Sequence, residues 1–259
     1  MEKILYDKEG SVAKIVFNNP EKFNAIDLEM TEEFRKTLLD VENDPEIYIV
    51  VLTGQGNKAF CVGADIHNFD KINSPVGYRS MRAGYAIHRQ FERSEKIYIA
   101  AVNGACMAGG FEIALCCDFI IASDSAFFSL PEVNLGLLPG WGGTVRLPRN
   151  LPIRKAKEVI MLGKRLSAAE AEKYGLVNKV VPLQELNNAV NELIDTLKTK
   201  SKLALGVIKS TINFSLDSAD LDAALAIERG GISVLFGSED CQEGVMAFFE
   251  KRKPNFQGK

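Results

Sequence analysis

Two hydrophobic textures divide the chain. In the first half, short apolar runs alternate with amphipathic stretches. Val12 to Phe17 alternates and stops at Asn18-Asn19-Pro20, which predicts a strand and a turn. Met30, Phe34, Thr37, Leu38 and Val41 then recur at helical spacing behind Asp27, so a helix capped by Asp27 is expected through Glu42. The runs 47–53 and 97–102 are almost continuously apolar and rich in β-branched residues, the pattern of strands buried on both faces. A helix over 77–95 is expected between them. The segments 47–54 and 97–104 resemble each other, which suggests repeated strand–helix turns. A short buried helix over 109–117 and short strands at 119–122 and 126–128 follow.

After Gly140 the texture becomes helical. Amphipathic periods predict helices over 153–162, 167–174, 183–197, 202–214, 221–235 and 239–251, with one extended link at 177–181. No low-complexity linker interrupts the 259 residues. The expected organisation is an α/β core over 1–200 followed by a helical C-terminal region over 201–259.

Composition narrows the function classes. A net charge of −3 leaves no domain-wide basic excess for nucleic acid, and Lys251-Arg252-Lys253 reads as a solvated helix end. The five cysteines are irregularly spaced without a C-x-x-C pair, so no metal site is expected; Cys116 and Cys117 read as buried thiols of a reducing compartment. No apolar run suits a signal peptide or reaches the roughly 18 residues of a membrane span. A cytoplasmic protein without membrane contact is the expectation.

Candidate chemistry gathers near two glycine-bearing loops. Only two histidines exist, and neither accompanies a nucleophile elbow. His88 lies in a polar helical stretch and reads as a surface residue; His67, after the loop 61–66, reads as a ligand contact. Gly109-Gly110 follows a strand and opens a helix, where unpaired main-chain N–H groups suit an anion or a developing oxyanion, although glycines also serve tight turns. Proline is tolerated at a first helical position, so Gly109→Pro is expected to delete one donor at modest structural cost. Glu112, inside the apolar stretch 111–117, and Glu132, between Leu130-Pro131 and Val133, are lone acids in apolar surroundings. They suit either a general acid/base pair or two carboxylates that cap backbone.

These same segments resemble the crotonase family, the enoyl-CoA hydratases and isomerases, along the whole chain. Phe60-Cys61-Val62-Gly63-Ala64-Asp65-Ile66 is similar to the family's CoA loop. Gly109-Gly110-Phe111-Glu112 with Cys117-Asp118 resembles its central helix, and Leu130-Pro131-Glu132-Val133 through Leu138-Pro139-Gly140-Trp141-Gly142-Gly143-Thr144 its second catalytic segment. The resemblance implies a spiral of repeated β-β-α turns and a C-terminal helical region that forms homotrimers or homohexamers. It implies an oxyanion hole from the N–H groups of Ala64 and Gly109, and catalytic roles for Glu112 and Glu132. CoA contacts are implied at Lys22, Phe23, Val62, Ala64, Asp65 and Ile66, and an acyl pocket at Leu130, Leu138 and Trp141. The implied reaction is hydration of a 2-enoyl-CoA, with CoA as part of the substrate and no separate cofactor. Double-bond isomerisation, a branched or cyclic acyl group, and a non-catalytic or RNA-binding relative are the alternatives. Gly140 stands where dienoyl-CoA isomerases carry aspartate. Leu130, Trp141 and His67 depart from the straight-chain hydratase pattern and leave the acyl group open.

Overall fold

Three successive turns of chain repeat one path: a strand in a large sheet, a sharp corner, then a strand in a second sheet. In this computed structural model, residues 2–67 and 74–259 are described, side chains of 74–83 excepted. The first turn comprises β3 (Ile49–Gly54), β4 (Ala59–Cys61) and helix α2 (Ser74–Arg93). The second comprises β5 (Ile97–Val102), β6 (Ala105–Met107) and the short helix α3 (Gly109–Ala114). The third begins with β7 (Phe119–Ser123) and β8 (Phe127–Ser129).

A hairpin of β1 (Ile4–Glu9) and β2 (Val12–Phe17) starts the large sheet. Its order is β1-β2-β3-β5-β7-β10, with β10 at Lys179–Val181; the second sheet runs β4-β6-β8-β9, with β9 at Leu166–Ser167. Parallel register pairs Ile49 with Ile97 and Val51 with Ile99, so the two similar segments lie side by side at the same level of the spiral.

The nearly continuous β-branched runs have the burial they predict. Val50 and Leu52 point into the main core, whereas Ile49, Val51, Ile97 and Ile99 point outward into a second core under α7 (Leu186–Lys198). The corners explain two glycines. A Cβ on Gly54 would lie 2.2 Å from the Ala59 carbonyl oxygen, and one on Gly104 would lie 2.3 Å from that of Lys58. Asn103 ties the two corners together, its amide donating to the carbonyls of Gly54 at 2.9 Å and Gly56 at 2.8 Å.

Helix α1 (Leu28–Asn43) starts at Asp27, whose carboxylate accepts from the Met30 N–H at 2.8 Å, and buries Met30, Phe34, Leu38 and Val41. Several expectations shift. β1 belongs to the fold although its mostly exposed sequence carries no clear strand pattern. The helix expected over 109–117 ends at Ala114. Residues 143–150 form helix α4 (Gly143–Asn150) despite Pro148.

Beyond α5 (Ile153–Met161) and α6 (Ala168–Lys173), the chain closes with α8 (Lys202–Leu216), α9 (Leu221–Phe236) and α10 (Glu239–Glu250). Lys209 pins α8 to the core. Its ammonium group is buried, donating to the Lys96 carbonyl at 2.6 Å and pairing with Asp118 at 2.8 Å above the Tyr98 ring. Helix α9 buries none of its residues, and Leu221, Val234, Phe236, Phe248 and Phe249 are exposed. Among the described residues, no helix is long and apolar enough to cross a membrane.

Candidate active site

The ends of β4 and β6 bring the two glycine-bearing loops together. After β4 the chain passes Gly63 at φ +88°, and after β6 it passes Ala108 at φ +48°. A Cβ on Gly63 would fall 2.7 Å from the Gly109 nitrogen and 2.8 Å from the Ala108 methyl, so this approach admits only glycine. Ile26 pairs with the edge of the 63–65 segment: its N–H donates to the Gly63 carbonyl and its carbonyl accepts from Asp65 N–H, both at 2.8 Å. Main-chain groups alternate sides along an extended segment, so the Ala64 N–H turns away from Ile26. Gly109 is the first residue of α3, where an N–H has no partner within the helix. Among the described residues, neither N–H donates to an acceptor.

Glu112 sits one turn into α3 and is 2% exposed. Its Oε1 accepts from the N–H groups of Trp141 and Gly143, both at 2.7 Å. Burial raises its pKa, and these main-chain donors oppose the rise by stabilising the charge. Glu132 lies on a 3-10 turn after β8 (Pro131–Leu135). Its Oε2 is buried and has no hydrogen-bond partner among the described residues. Burial first, then the charge of Glu112, push its pKa up to about 7, against its own backbone N–H. The two acids therefore differ in kind. Glu112 has donors that hold a negative charge, whereas Glu132 has an uncompensated oxygen that favours the proton.

The 140–146 turn that cradles Glu112 is itself held. Arg146 donates to the Trp141 carbonyl at 2.8 Å and pairs with Glu92 of α2 at 2.6 Å. Sequence reasoning passed over both, because one arginine and one glutamate in amphipathic helices carry no distinguishing local signal. Gly142, at φ +109°, leaves room for the Arg146 guanidinium.

The residues expected to contact CoA gather on one edge. Lys22 and Phe23 lie on a 3-10 turn beside the 62–66 loop, and Lys22 pairs with Asp65 at 2.9 Å. Lys22, then His67, which also bonds Asp65, hold the Asp65 carboxyl well below the usual range. Phe23 and Ile66 are exposed, and Val62 and Ala64 are half-buried. His67 is thus placed by Asp65 at the rim of this loop.

Three expectations are corrected. Leu130, expected to line the acyl pocket, has no exposed surface; it packs in the core behind Gly143. Leu138 is exposed and Trp141 half-buried, so these two keep accessible surface at the site. His88, read as a surface residue, is 2% exposed and packs against Trp141 in a tilted arrangement, with ring centroids 5.3 Å apart. Its helix is covered on that side by the 140–146 turn. Finally, a proline at 109 is not structurally modest. Any Cβ there would lie 2.4 Å from Cζ3 of Trp141, a rigid ring with both neighbours fixed.

The enoyl-CoA hydratase/isomerase family model matches residues 7–259. The chain is 39% identical to a short-chain-enoyl-CoA hydratase of Clostridium acetobutylicum, over 98% of this chain and 97% of that protein. It is 38% identical to a crotonyl-CoA hydratase of Syntrophomonas wolfei, over 100% and 99%. A crystal structure of an enoyl-CoA hydratase from Bacillus anthracis superposes with a TM-score of 0.94 at 34% identity, covering both chains completely. The β-β-α spiral, its C-terminal helices and these full-length matches agree: the chain belongs to the enoyl-CoA hydratase/isomerase family, and its fold is the crotonase fold.

Proposed function

We propose that this enzyme adds water reversibly across the 2,3 double bond of a 2-enoyl-CoA to give a 3-hydroxyacyl-CoA. The observation that carries the reading is the pair of unlike carboxyls, Glu112 and Glu132, beside two unpaired main-chain donors. Attack of water at the β-carbon pushes charge onto the thioester oxygen. The N–H groups of Ala64 and Gly109 receive that charge as an oxyanion hole, a stabilisation of which one donor is typically worth about 3–4 kcal/mol. Glu112, whose Oε1 accepts from the N–H groups of Trp141 and Gly143, orients the water and takes its proton. Glu132, which keeps its proton near neutral pH, delivers it to the α-carbon. Dehydration runs the same steps backwards.

Lys22, Phe23, Val62, Ala64, Asp65 and Ile66 bind the CoA moiety, while Leu138 and Trp141 face the acyl group. The exposed apolar residues of α9 and α10 support assembly of homotrimers or homohexamers through 201–259. The enzyme works in the cytoplasm on a soluble thioester, using no metal or separate cofactor. The test is direct: incubate the protein with crotonyl-CoA and follow loss of the conjugated thioester absorbance. Loss that reverses on adding 3-hydroxybutyryl-CoA supports hydration. Migration of the double bond without water uptake would refute it.

A further inference from the structure

Trp141 occupies a slot that two glycines make possible. The pyrrole edge of its indole rests on Gly84 of α2, where an added Cβ would lie 2.1 Å from Nε1. The benzene edge rests on Gly109, where an added Cβ would lie 2.4 Å from Cζ3. The ring therefore bridges α2 and α3. Its backbone is held on both sides, the N–H by Glu112 and the carbonyl by Arg146.

His88, one turn after Gly84, braces the other side. Its Nδ1 lies 2.7 Å from the Gly84 carbonyl, which can only accept, so Nδ1 carries the proton and Nε2 is bare. Burial lowers the pKa of this imidazole to about 4, leaving it neutral. Both Nε2 of His88 and Nε1 of Trp141 are buried without a hydrogen-bond partner among the described residues. A buried polar atom left unpaired is unfavourable, and an apolar pair of similar shape would avoid it. Two such atoms on neighbouring rings point to a requirement for these two rigid rings at this place.

The reacting atoms fix what the ring does. In the hydratase reading, on which this inference rests, the thioester oxygen lies at the Gly109 N–H and the β-carbon between Glu112 and Glu132. The Trp141 ring lies against Gly109, and its N–H donates to Glu112. The indole, spanning from Gly84 of α2 to Gly109 of α3, is the bulky apolar surface beside both positions. We infer that Trp141, braced by His88 in the Gly84–Gly109 slot, is the stop that ends the acyl pocket and confines the enzyme to short 2-enoyl groups of crotonyl length. His88 acts as a positioning residue: it touches the stop and not the substrate.

The experiment compares kcat/KM for 2-octenoyl-CoA with that for crotonyl-CoA within each protein. The parent strongly favours crotonyl-CoA. Burying a methylene is worth about a fourfold gain in affinity, so Trp141→Ala raises the octenoyl-to-crotonyl ratio at least about tenfold. His88→Ala raises it by a smaller factor, and His88→Phe, which restores a planar brace, returns it to the parent value. A parent that turns over both substrates equally, or a Trp141→Ala protein with the parent ratio, overturns the inference. Because Trp141 also carries a donor to Glu112, turnover can fall in its variants. The affinity ratio of saturated octanoyl-CoA to butyryl-CoA, measured by calorimetry, then reads the same stop without chemistry. It also separates the two readings: a parent that binds butyryl-CoA selectively but hydrates nothing refutes the reaction and leaves the stop standing.

Discussion

Replacing Glu132 by glutamine should stabilise the protein at alkaline pH while removing its activity. The carboxyl titrates near 4.5 when unperturbed and at about 7 in the fold, because burial and the charge of Glu112 disfavour its ionised form. For an acid with a raised pKa, the folded state binds more protons than the unfolded chain between these two values. Stability is therefore lost as pH rises from the unfolded to the folded pKa, and the loss is complete above about 7. The interval of 4.5 to about 7 sets a ceiling of about 3 kcal/mol at pH 8, which solvent screening at this half-buried carboxyl reduces to about 1–2 kcal/mol, falling towards nothing near pH 4. For a chain of this size, 1 kcal/mol moves Tm by about 2–4 °C, so Glu132→Gln should melt about 2–8 °C above the parent at pH 8. At pH 4 to 5 the two curves should converge. Thermal melts across this range measure the difference. On the activity side, kcat/KM of the parent for hydration should fall as pH rises through about 7, where the proton of Glu132 is lost. The variant should be about 10²–10⁴-fold slower and lack that limb. A stability gap that is the same at both ends of the pH range would refute the raised carboxyl. A variant with parental turnover would refute its catalytic role.

Three further outcomes are expected. Gly63→Ala forces a methyl to 2.7 Å from the Gly109 nitrogen at a φ of +88°, so any folded protein should lose about 10²–10³-fold in kcat, read by steady-state kinetics after a melt confirms folding. Lys209→Met leaves Asp118 buried without its cation and should cost about 3–5 kcal/mol in denaturant titrations. Burial already raises the Asp118 pKa, so that loss should be smaller in acid, where the carboxyl accepts a proton. Truncation after Ser215 removes α9 and α10 and should give monomers or aggregates in sedimentation velocity; assembly like that of the full chain would contradict a contact role for these helices.

What the sequence revealed depended on whether the signal was local. The runs containing Ile49 to Leu52 and Ile97 to Ala100 announced strands buried on both faces, because a central parallel strand has no solvent side to mark with polar residues. Asp27 announced a helix start because its cap is made within three residues. Glu112 and Glu132 stood out as acids among apolar neighbours. β1 escaped because only Ile4 is buried, leaving a polar-looking edge strand. β4 and β6 are three residues long, too short for a period to register. His88 escaped for a different reason. A helix shows which of its faces is apolar, but whether a polar residue is covered depends on another segment, here the turn holding Trp141. Arg146 and Glu92 are likewise defined by their meeting across 54 positions.

Both proposed oxyanion donors belong to the main chain, and this has a consequence for how such a site is found. An alanine scan cannot see them: position 64 is already alanine, and at 109 the scan would report a collision with an indole rather than the loss of a donor. Side-chain mutagenesis would credit the whole reaction to two carboxylates. The amides become visible only to chemistry that edits the peptide bond itself, such as an amide-to-ester replacement by semisynthesis, which removes a single N–H and adds no bulk. The same invisibility shields the site from drift. Position 64 can change its side chain and keep its donor, so the heritable constraint falls on the glycines at 63 and 109 that bring the two amides together.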